Sequence, residues 1–347
     1  MLAAAELILS LAADANGRFA ESDYPMMRAA LLAWYGAHRR DLPWRATRDP
    51  YRIWVSEIML QQTRVAAVLE HYRRFLEAFP TVQALAEATE PEVLALWSGL
   101  GYYRRARMLH RAAKVVVQES AGAMPRTAEG LRVLPGVGAY TSAAVASIAF
   151  GEPVAVVDGN VERVLARMAG WSADDQGFAA RVRTLADALV DPKHPGDFNQ
   201  GMMELGATVC LPRAPLCLGC PWQPWCRTRG PHAMPARPRQ QRQHSARVVW
   251  LRGTGAKQKV RLVQRAGDAS LMAGMWELPM CESDPGEAPE FTVRHAITVT
   301  NHNVDVYVRR AGAQQQAGSF FIPVSELPQR ALTGLTRKIL RRIGLLS

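Results

Sequence analysis

Four cysteines, Cys210, Cys217, Cys220 and Cys226, fall within seventeen residues at gaps of six, two and five. Pro212, Pro215, Pro221 and Pro224 interrupt the same stretch, so it can be neither a regular helix nor a strand, and a compact loop lets all four sulfurs face one inorganic centre. Structural zinc sites usually present two short Cys/His pairs held apart by a longer spacer. This chain offers a single Cys-x-x-Cys, which favours an iron-sulfur cube over zinc. Disulfides fit badly, because the chain shows no secretory signal and the fifth cysteine, Cys281, would be left over.

With 347 residues and 48% hydrophobic content, the chain can fill two cores. Residues 1–24 read as an N-terminal extension: the opening MLAAAELILSLAADA is apolar but short and is interrupted by Glu6 and Asp14. No stretch is long and apolar enough to predict a membrane span, so no membrane partner is expected. A net charge of +11 points to a polyanion, and for a protein of this kind that is most often nucleic acid.

From Tyr24 to about Arg229 apolar residues recur at helical spacing, as in TRVAAVLEHYRRFLEAF and PEVLALWSGLGYYRRARMLHRAAKVVV. Asp49-Pro50 predicts an N-cap and a first-turn proline, which places Ile53, Trp54, Glu57 and Ile58 on one helix, and Thr63 is positioned to cap the next. Between Cys226 and Arg265 there are eleven Lys or Arg and no acid, and PHAMPARPRQQRQHSA has prolines without periodicity, which predicts a linker at 231–245. Beyond it the period becomes two in ARVVWLRG, KVRLVQRA and NVDVYVRR, closed by a basic helix in LTRKILRRIGL. The expected organisation is a helical domain at 25–230 and a small α+β domain at 246–347.

Within LPGVGAYTSAAVASIAF, Gly136 and Gly138 form a tight turn before an Ala-rich helix, where backbone N–H groups and the helix N-terminus can meet a DNA phosphate. An ordinary helix-helix turn would look the same in isolation. Some twenty residues on, VVDGNVERVLAR sets Asp158 just before another helix, as a cap or as a functional carboxylate. Glu57 lies among Ile53, Trp54, Ile58 and Met59, where loss of water should raise its pKa and keep it protonated. Cleavage of a glycosidic bond needs one protonated carboxyl for the leaving group and one ionised carboxylate beside an oxocarbenium-like sugar; Glu57 and Asp158 can divide those roles.

Taken together, LPGVG, VDGN and the six-two-five cysteine loop resemble the helix-hairpin-helix DNA glycosylases that carry a 4Fe-4S cluster, and within them the branch that removes adenine. The likeness runs through DLPWR, SEIMLQQTRV, GLGYYRRAR, LPGVGAYT, VDGNVERV and FNQGMMELGATVC, roughly Ala30 to Arg229. It implies a mainly α helix-hairpin-helix glycosylase domain with a 4Fe-4S cluster loop, followed by a small α+β Nudix-like domain. The related endonuclease III group cleaves through a Schiff base on a lysine that follows the hairpin glycines. This chain has Tyr140 there and no lysine between Lys114 and Lys193, which implies a monofunctional enzyme that uses water.

By the same resemblance Glu57 protonates adenine at N7, Asp158 stabilises the sugar cation, and Tyr140 and Asn160 hold them. Trp44, Arg45, Leu60 and Gln200 line the adenine pocket, Gln61 contacts DNA, and Gln62 with Tyr102 fills the gap left by the flipped base and stacks beside the opposing lesion. Cys210, Cys217, Cys220 and Cys226 hold the cluster. LMAGMWELP and the surrounding strands resemble the Nudix-like domain that reads 8-oxoguanine, without the acidic magnesium-binding box, so no pyrophosphatase activity is expected. Where that family commonly has a Phe-Ser-His turn, this chain reads RHAITVTNHNVDVYV, leaving Thr298, Asn301 and His302 as the available groups. The implied partner is duplex DNA with adenine opposite 8-oxoguanine or guanine, met by a monomer in a bacterial cytoplasm at the nucleoid. The remaining alternatives are an endonuclease III-like glycosylase/lyase and a non-catalytic, cluster-bearing redox sensor.

Overall fold

The computed structural model describes residues 20–230, 241–281, 286–297, 300–311 and 318–346. Its helices are α1 Tyr24–His38, α2 Pro50–Leu60, α3 Val65–Ala78, α4 Val82–Glu87, α5 Glu90–Trp97, α6 Arg104–Ser120, α7 Ala128–Arg132, α8 Ala139–Phe150, α9 Gly159–Ala169, α10 Phe178–Leu189, α11 Pro195–Thr208 and α12 Gly334–Arg342. The strands are β1 Gln241–Arg252, β2 Lys259–Gln264, β3 Trp276–Glu277, β4 Phe291–Ile297, β5 Thr300–Arg310 and β6 Ser319–Pro323. The described residues divide into two compact units, 20–61 with 118–230 and 62–117 with 241–346.

In the first unit α8 is the central element. Its residues Thr141 to Ile148 are all buried, as expected for a helix made of Ala, Ser and small aliphatics that packs on every side. It ends at Gly151, a left-handed C-cap at φ +73°. Helix α2 lies on α8, and α11 packs on α1, α8 and α9. The approach of α11 to α8 is close: a Cβ at Gly196 would stand 2.8 Å from Ile148 Cα, so only glycine fits there. A second part of the core gathers Met27, Leu31, Leu165, Phe198, Leu205, Trp222 and Trp225 around α1, α9, α11 and the cysteine loop.

The expected helix start at Asp49-Pro50 is present, with Asp49 Oδ1 accepting from the N–H groups of Tyr51 and Arg52. Thr63 does not cap α3. Arg64 is the N-cap residue and makes no side-chain cap bond, while Thr63 Oγ1 accepts from Arg105 Nη2 at 3.1 Å.

The second unit joins α3 to α5 and most of α6 to a mixed sheet in the order β3-β2-β1-β5-β4, with β6 also paired to β2. β1 and β5 run parallel and the other pairs antiparallel. Val249, Leu262, Val293, Val304, Ile339 and Leu340 form its core between the sheet and α12. The alternation in the sequence predicted three of these strands and the basic closing helix. β1 reaches back to Gln241, into the segment expected as linker, because its first residues pair in parallel with Thr300 to Val304 of β5. A helical domain followed by a small α+β domain is the observed fold class. The helices at 62–117, which sequence order assigns to the first, are compact with the second.

Candidate active site

Glu57 sits on α2 between the buried side chains of Ile53, Trp54 and Ile58 and is itself only 5% exposed. The Tyr140 hydroxyl, on the first turn of α8, donates to Glu57 Oε2 at 2.7 Å. Burial pushes the Glu57 carboxyl up to about 7; the Tyr140 bond pulls the other way, the charge of Asp158 adds to the rise and that of Arg45 opposes it. Burial also raises the Tyr140 hydroxyl well above its ordinary range, followed by the charges of Glu57 and Asp158, so the phenol stays protonated as a donor.

Asp158 is the N-cap of α9. Its Oδ1 accepts from the backbone N–H of Asn160 at 2.9 Å and of Val161 at 2.8 Å, and its Oδ2 accepts from Asn160 Nδ2 at 2.9 Å. Three N–H groups therefore fix the carboxylate at a helix N-terminus. The segment leading into it is held by buried Asn199, which donates to Ser147 Oγ and Val154 O and accepts from Val156 N, all within 2.9–3.0 Å. Asn160 is held in turn. Arg163 donates from Nη2 to Asn160 Oδ1 at 2.9 Å and to Gly206 O at 2.8 Å, and from Nε to Cys210 O at 2.9 Å. α11 notches against this point, since a Cβ on Gly206 would lie 2.6 Å from Asn160 Cβ.

The remaining pocket residues expected from the sequence fall in the same unit. Trp44 and Gln200 are buried and Leu60 is half-buried. Arg45 donates to Glu204 Oε2 at 2.8 Å, and Arg40 makes a two-pronged pair with the same carboxylate at 2.8 and 2.7 Å. Glu204 is fully buried and its pKa falls to about 2, since the bonds and charges of Arg40 and Arg45 together outweigh the burial that would raise it. Gln61 Nε2 donates to Thr141 Oγ1 at 3.1 Å, linking α2 to α8. At the hairpin Gly136 takes φ +76°, which favours glycine, and a Cβ at Gly138 would meet nothing within 4 Å. Packing does not demand glycine at 138, the N-cap of α8, and its backbone is open.

Gln62 and Tyr102, both in the second unit, share an uncommon property: each is a non-glycine residue in the left-handed region, at φ 55° and 49°. Both are exposed. The Arg105 guanidinium lies 5.3 Å from the Tyr102 ring and 5.4 Å from the Trp97 ring, and its Nη2 donates to Thr63 Oγ1 and to the Gly101 carbonyl, so one side chain braces both loops.

The four clustered cysteines line one cavity together with Arg167, Pro215 and Gln223. Arg167 donates to Leu211 O at 2.7 Å, Pro212 O at 2.8 Å and Cys210 Sγ at 3.4 Å. Burial pushes the Cys220 thiol up to about 12. Among the described residues no three Cys, His, Asp or Glu converge tightly enough for a single ion. Cys210, Cys217, Cys220 and Cys226 thus present four sulfur donors around one shared space. Cys281 lies on the sheet unit, where its N–H donates to Ala246 O, and takes no part in this cavity.

For the lesion side, Thr298 lies outside the described residues. Asn301 and His302 are successive residues of β5 and therefore point to opposite faces. His302 pairs with His295 on the face that carries the buried Val304 and Val293, whereas Asn301 shares a polar concavity of about 430 Å³ with Arg242, Arg294, Asn303 and, at its margin, His295 and Ala296.

Residues 55–188 match the HhH-GPD superfamily of base excision DNA repair proteins. The chain is 43% identical to the mouse adenine DNA glycosylase over 322 residues, covering 77% of this chain and 62% of that protein. It is 33% identical to the fission yeast adenine DNA glycosylase over 328 residues, 76% of this chain and 71% of that one. The chain belongs to the adenine DNA glycosylase (MutY) family. Several of its relatives in that family are much longer: the match spans 43% of the human adenine DNA glycosylase and 39% of the Arabidopsis one. Among solved structures, that of a thermostable thymine-DNA glycosylase superposes with a TM-score of 0.56 at 33% identity, covering 60% of this chain and 97% of that one.

Proposed function

We propose that this member of the adenine DNA glycosylase family is a monofunctional enzyme that excises adenine opposite 8-oxoguanine or guanine in duplex DNA. The observation that carries the reading is the buried Glu57 carboxyl, poised near 7 and bonded to Tyr140, beside a helix-capping Asp158. An adenine inside the duplex hides its glycosidic bond, so it is flipped into the pocket of Trp44, Arg45, Leu60 and Gln200. Glu57 delivers its proton to N7, the base leaves as a neutral species, and the Asp158 carboxylate faces the oxocarbenium-like sugar until water adds. Tyr140 and Asn160 keep the two carboxyl groups aimed. Tyr140 also stands where a Schiff-base lysine would be required, which supports hydrolysis without strand cleavage.

Gly136 and Gly138 receive a phosphate at the start of α8, and Gln61, Gln62 and Tyr102 meet the strand from which the adenine has left. Cys210, Cys217, Cys220 and Cys226 would hold a 4Fe-4S cluster by donating one thiolate each to its irons, and the bound cluster would cross-link the loop. The domain at 246–347 reads the opposing lesion, with Asn301 and the arginines of its concavity on one face and His302 on the other. A net charge of +11 suits a monomer working along DNA at a bacterial nucleoid, and no helix among the described residues is long and apolar enough to cross a membrane.

The test is strand scission after alkali on duplexes carrying adenine opposite 8-oxoguanine, adenine opposite guanine, or thymine glycol. Scission of the two adenine duplexes only after alkali supports the reading. Scission at thymine glycol without alkali would move the chain to the endonuclease III type, and no scission at all to a binding protein.

A further inference from the structure

The loop that carries Tyr102 is anchored on both sides of that residue to the entry of α12. Ser98 Oγ donates to Leu332 O at 2.6 Å, and Arg337 Nε donates to Ser98 Oγ at 3.0 Å. Tyr103, immediately after Tyr102, points its hydroxyl at the same Leu332 carbonyl at 3.4 Å. All four residues are buried. Between the anchors Gly99 takes φ +112°, a conformation that favours glycine, with the His71 and Arg337 side chains beside it. The Leu332 carbonyl is itself fixed, because Leu332 bridges to Trp276 and the next residue, Thr333, caps α12.

A second clasp lies one turn further on. Arg107 of α6 donates to the Ala273 carbonyl through Nη2 and holds Glu90 at 2.7 Å through Nε. Hydrogen bonds between buried polar groups are costly to leave unmade, so each is a stringent constraint on geometry. Tyr102 meanwhile is exposed, and its backbone is in a conformation that an unsupported tyrosine seldom adopts. Something must over-determine that conformation. Arg105 and Trp97 hold the loop from within the helices, through bonds to the Gly101 carbonyl, whereas Ser98 and Tyr103, one on each flank of Tyr102, both end on residues of the C-terminal sheet domain.

We infer that the C-terminal domain positions the Tyr102 side chain, with Ser98 and Arg337 as its positioning residues, in addition to any contact that it makes with a lesion itself. The inference rests on the reading of Tyr102 as the residue that enters the gap beside the opposing base. Its consequence is that lesion preference depends on two residues that never touch DNA, one on each side of the linker.

The full-length chain tests this in a double-mutant cycle read as the ratio of single-turnover rates on adenine opposite 8-oxoguanine and opposite guanine. Tyr102→Ala is expected to lower that ratio at least fivefold, and Ser98→Ala and Arg337→Met each at least threefold. In the Tyr102→Ala background, Ser98→Ala is expected to change the ratio no further, since its effect passes through the tyrosine. A merely structural role would slow both substrates alike or add to the Tyr102→Ala effect, and either result overturns the inference. An unchanged ratio in Tyr102→Ala alone would remove the reading on which it rests. Should Arg337→Met melt far below the wild type, Ser98→Ala, which deletes one hydroxyl, decides the matter by itself.

Discussion

The Tyr140 hydroxyl and the Glu57 carboxyl are 2.7 Å apart, and their bond opposes the burial that surrounds them. A donated hydrogen bond favours the ionised carboxylate, whereas removal from water favours the neutral acid. Burial is the larger effect and leaves Glu57 near 7, where an acid can both hold a proton and release it.

Adenine release should therefore fall as pH rises through about 7, with Glu57→Gln inactive throughout. The folded protein binds this proton more tightly than an unfolded chain, in which a glutamate titrates near 4.5. The resulting stabilisation is complete below about 4.5 and is lost as pH climbs through about 7. At roughly 1.4 kcal/mol per pKa unit the loss amounts to about 3 to 4 kcal/mol. Thermal melts should show the wild type losing stability over that interval relative to Glu57→Gln; parallel melting curves for the two proteins would contradict it.

Asp158 caps α9, and the proposed mechanism gives it a chemical role as well; two substitutions separate them. Asp158→Asn keeps an oxygen for the N–H groups of Asn160 and Val161, so it should melt close to the wild type while releasing no adenine. Asp158→Ala should lose activity and also about 1 kcal/mol of stability. Both should still retain binding to mismatched duplex in a gel-shift assay.

Gly206→Ala places a methyl group 2.6 Å from Asn160 Cβ. Neither α9 nor α11 can withdraw without breaking the Arg163 bonds to Asn160 and to Gly206, so the expected cost is about 1–3 kcal/mol. Turnover should slow as well, because Asn160 holds Asp158. A melt and single-turnover rates on one preparation would show both changes together.

Serine in place of Cys210, Cys217, Cys220 or Cys226 should each reduce bound iron and acid-labile sulfide and bleach the yellow-brown colour, while Cys281→Ser leaves all three unchanged. Stoichiometric zinc without sulfide in protein prepared without oxygen would refute a cube.

Local features of this fold were legible where one residue acts on its sequence neighbours. Asp49 before Pro50 caps α2, Asp158 before Gly159 caps α9, and apolar alternation marks β1, β2 and β5, since caps and pleats are written at short range. Glu57 was legible as a buried acid from its neighbours at helical spacing. Thr63 was misread as a cap because its partner is Arg105, 42 positions later, and no spacing rule foretells that bond. Glu204, Asn199 and Arg163 carried no signal of their own for the same reason: each matters through groups tens to more than a hundred residues away. The grouping of 62–117 with the sheet likewise depends on single contacts such as Ser98 to Leu332, 234 positions apart. Asn301 and His302 looked interchangeable as text, and only the pleat of β5 separates them.

Gln62 and Tyr102 hold the left-handed backbone that glycine would occupy without strain. A side chain there costs on the order of 1–3 kcal/mol, more than the entropy a glycine would forfeit, so replacing either residue by glycine should make the free protein more heat-resistant. Under the proposed roles of the two residues, a screen that rewards thermostability alone would drift toward those replacements and discard the side chains that meet the gap in the duplex, setting robustness against search at two residues of this chain.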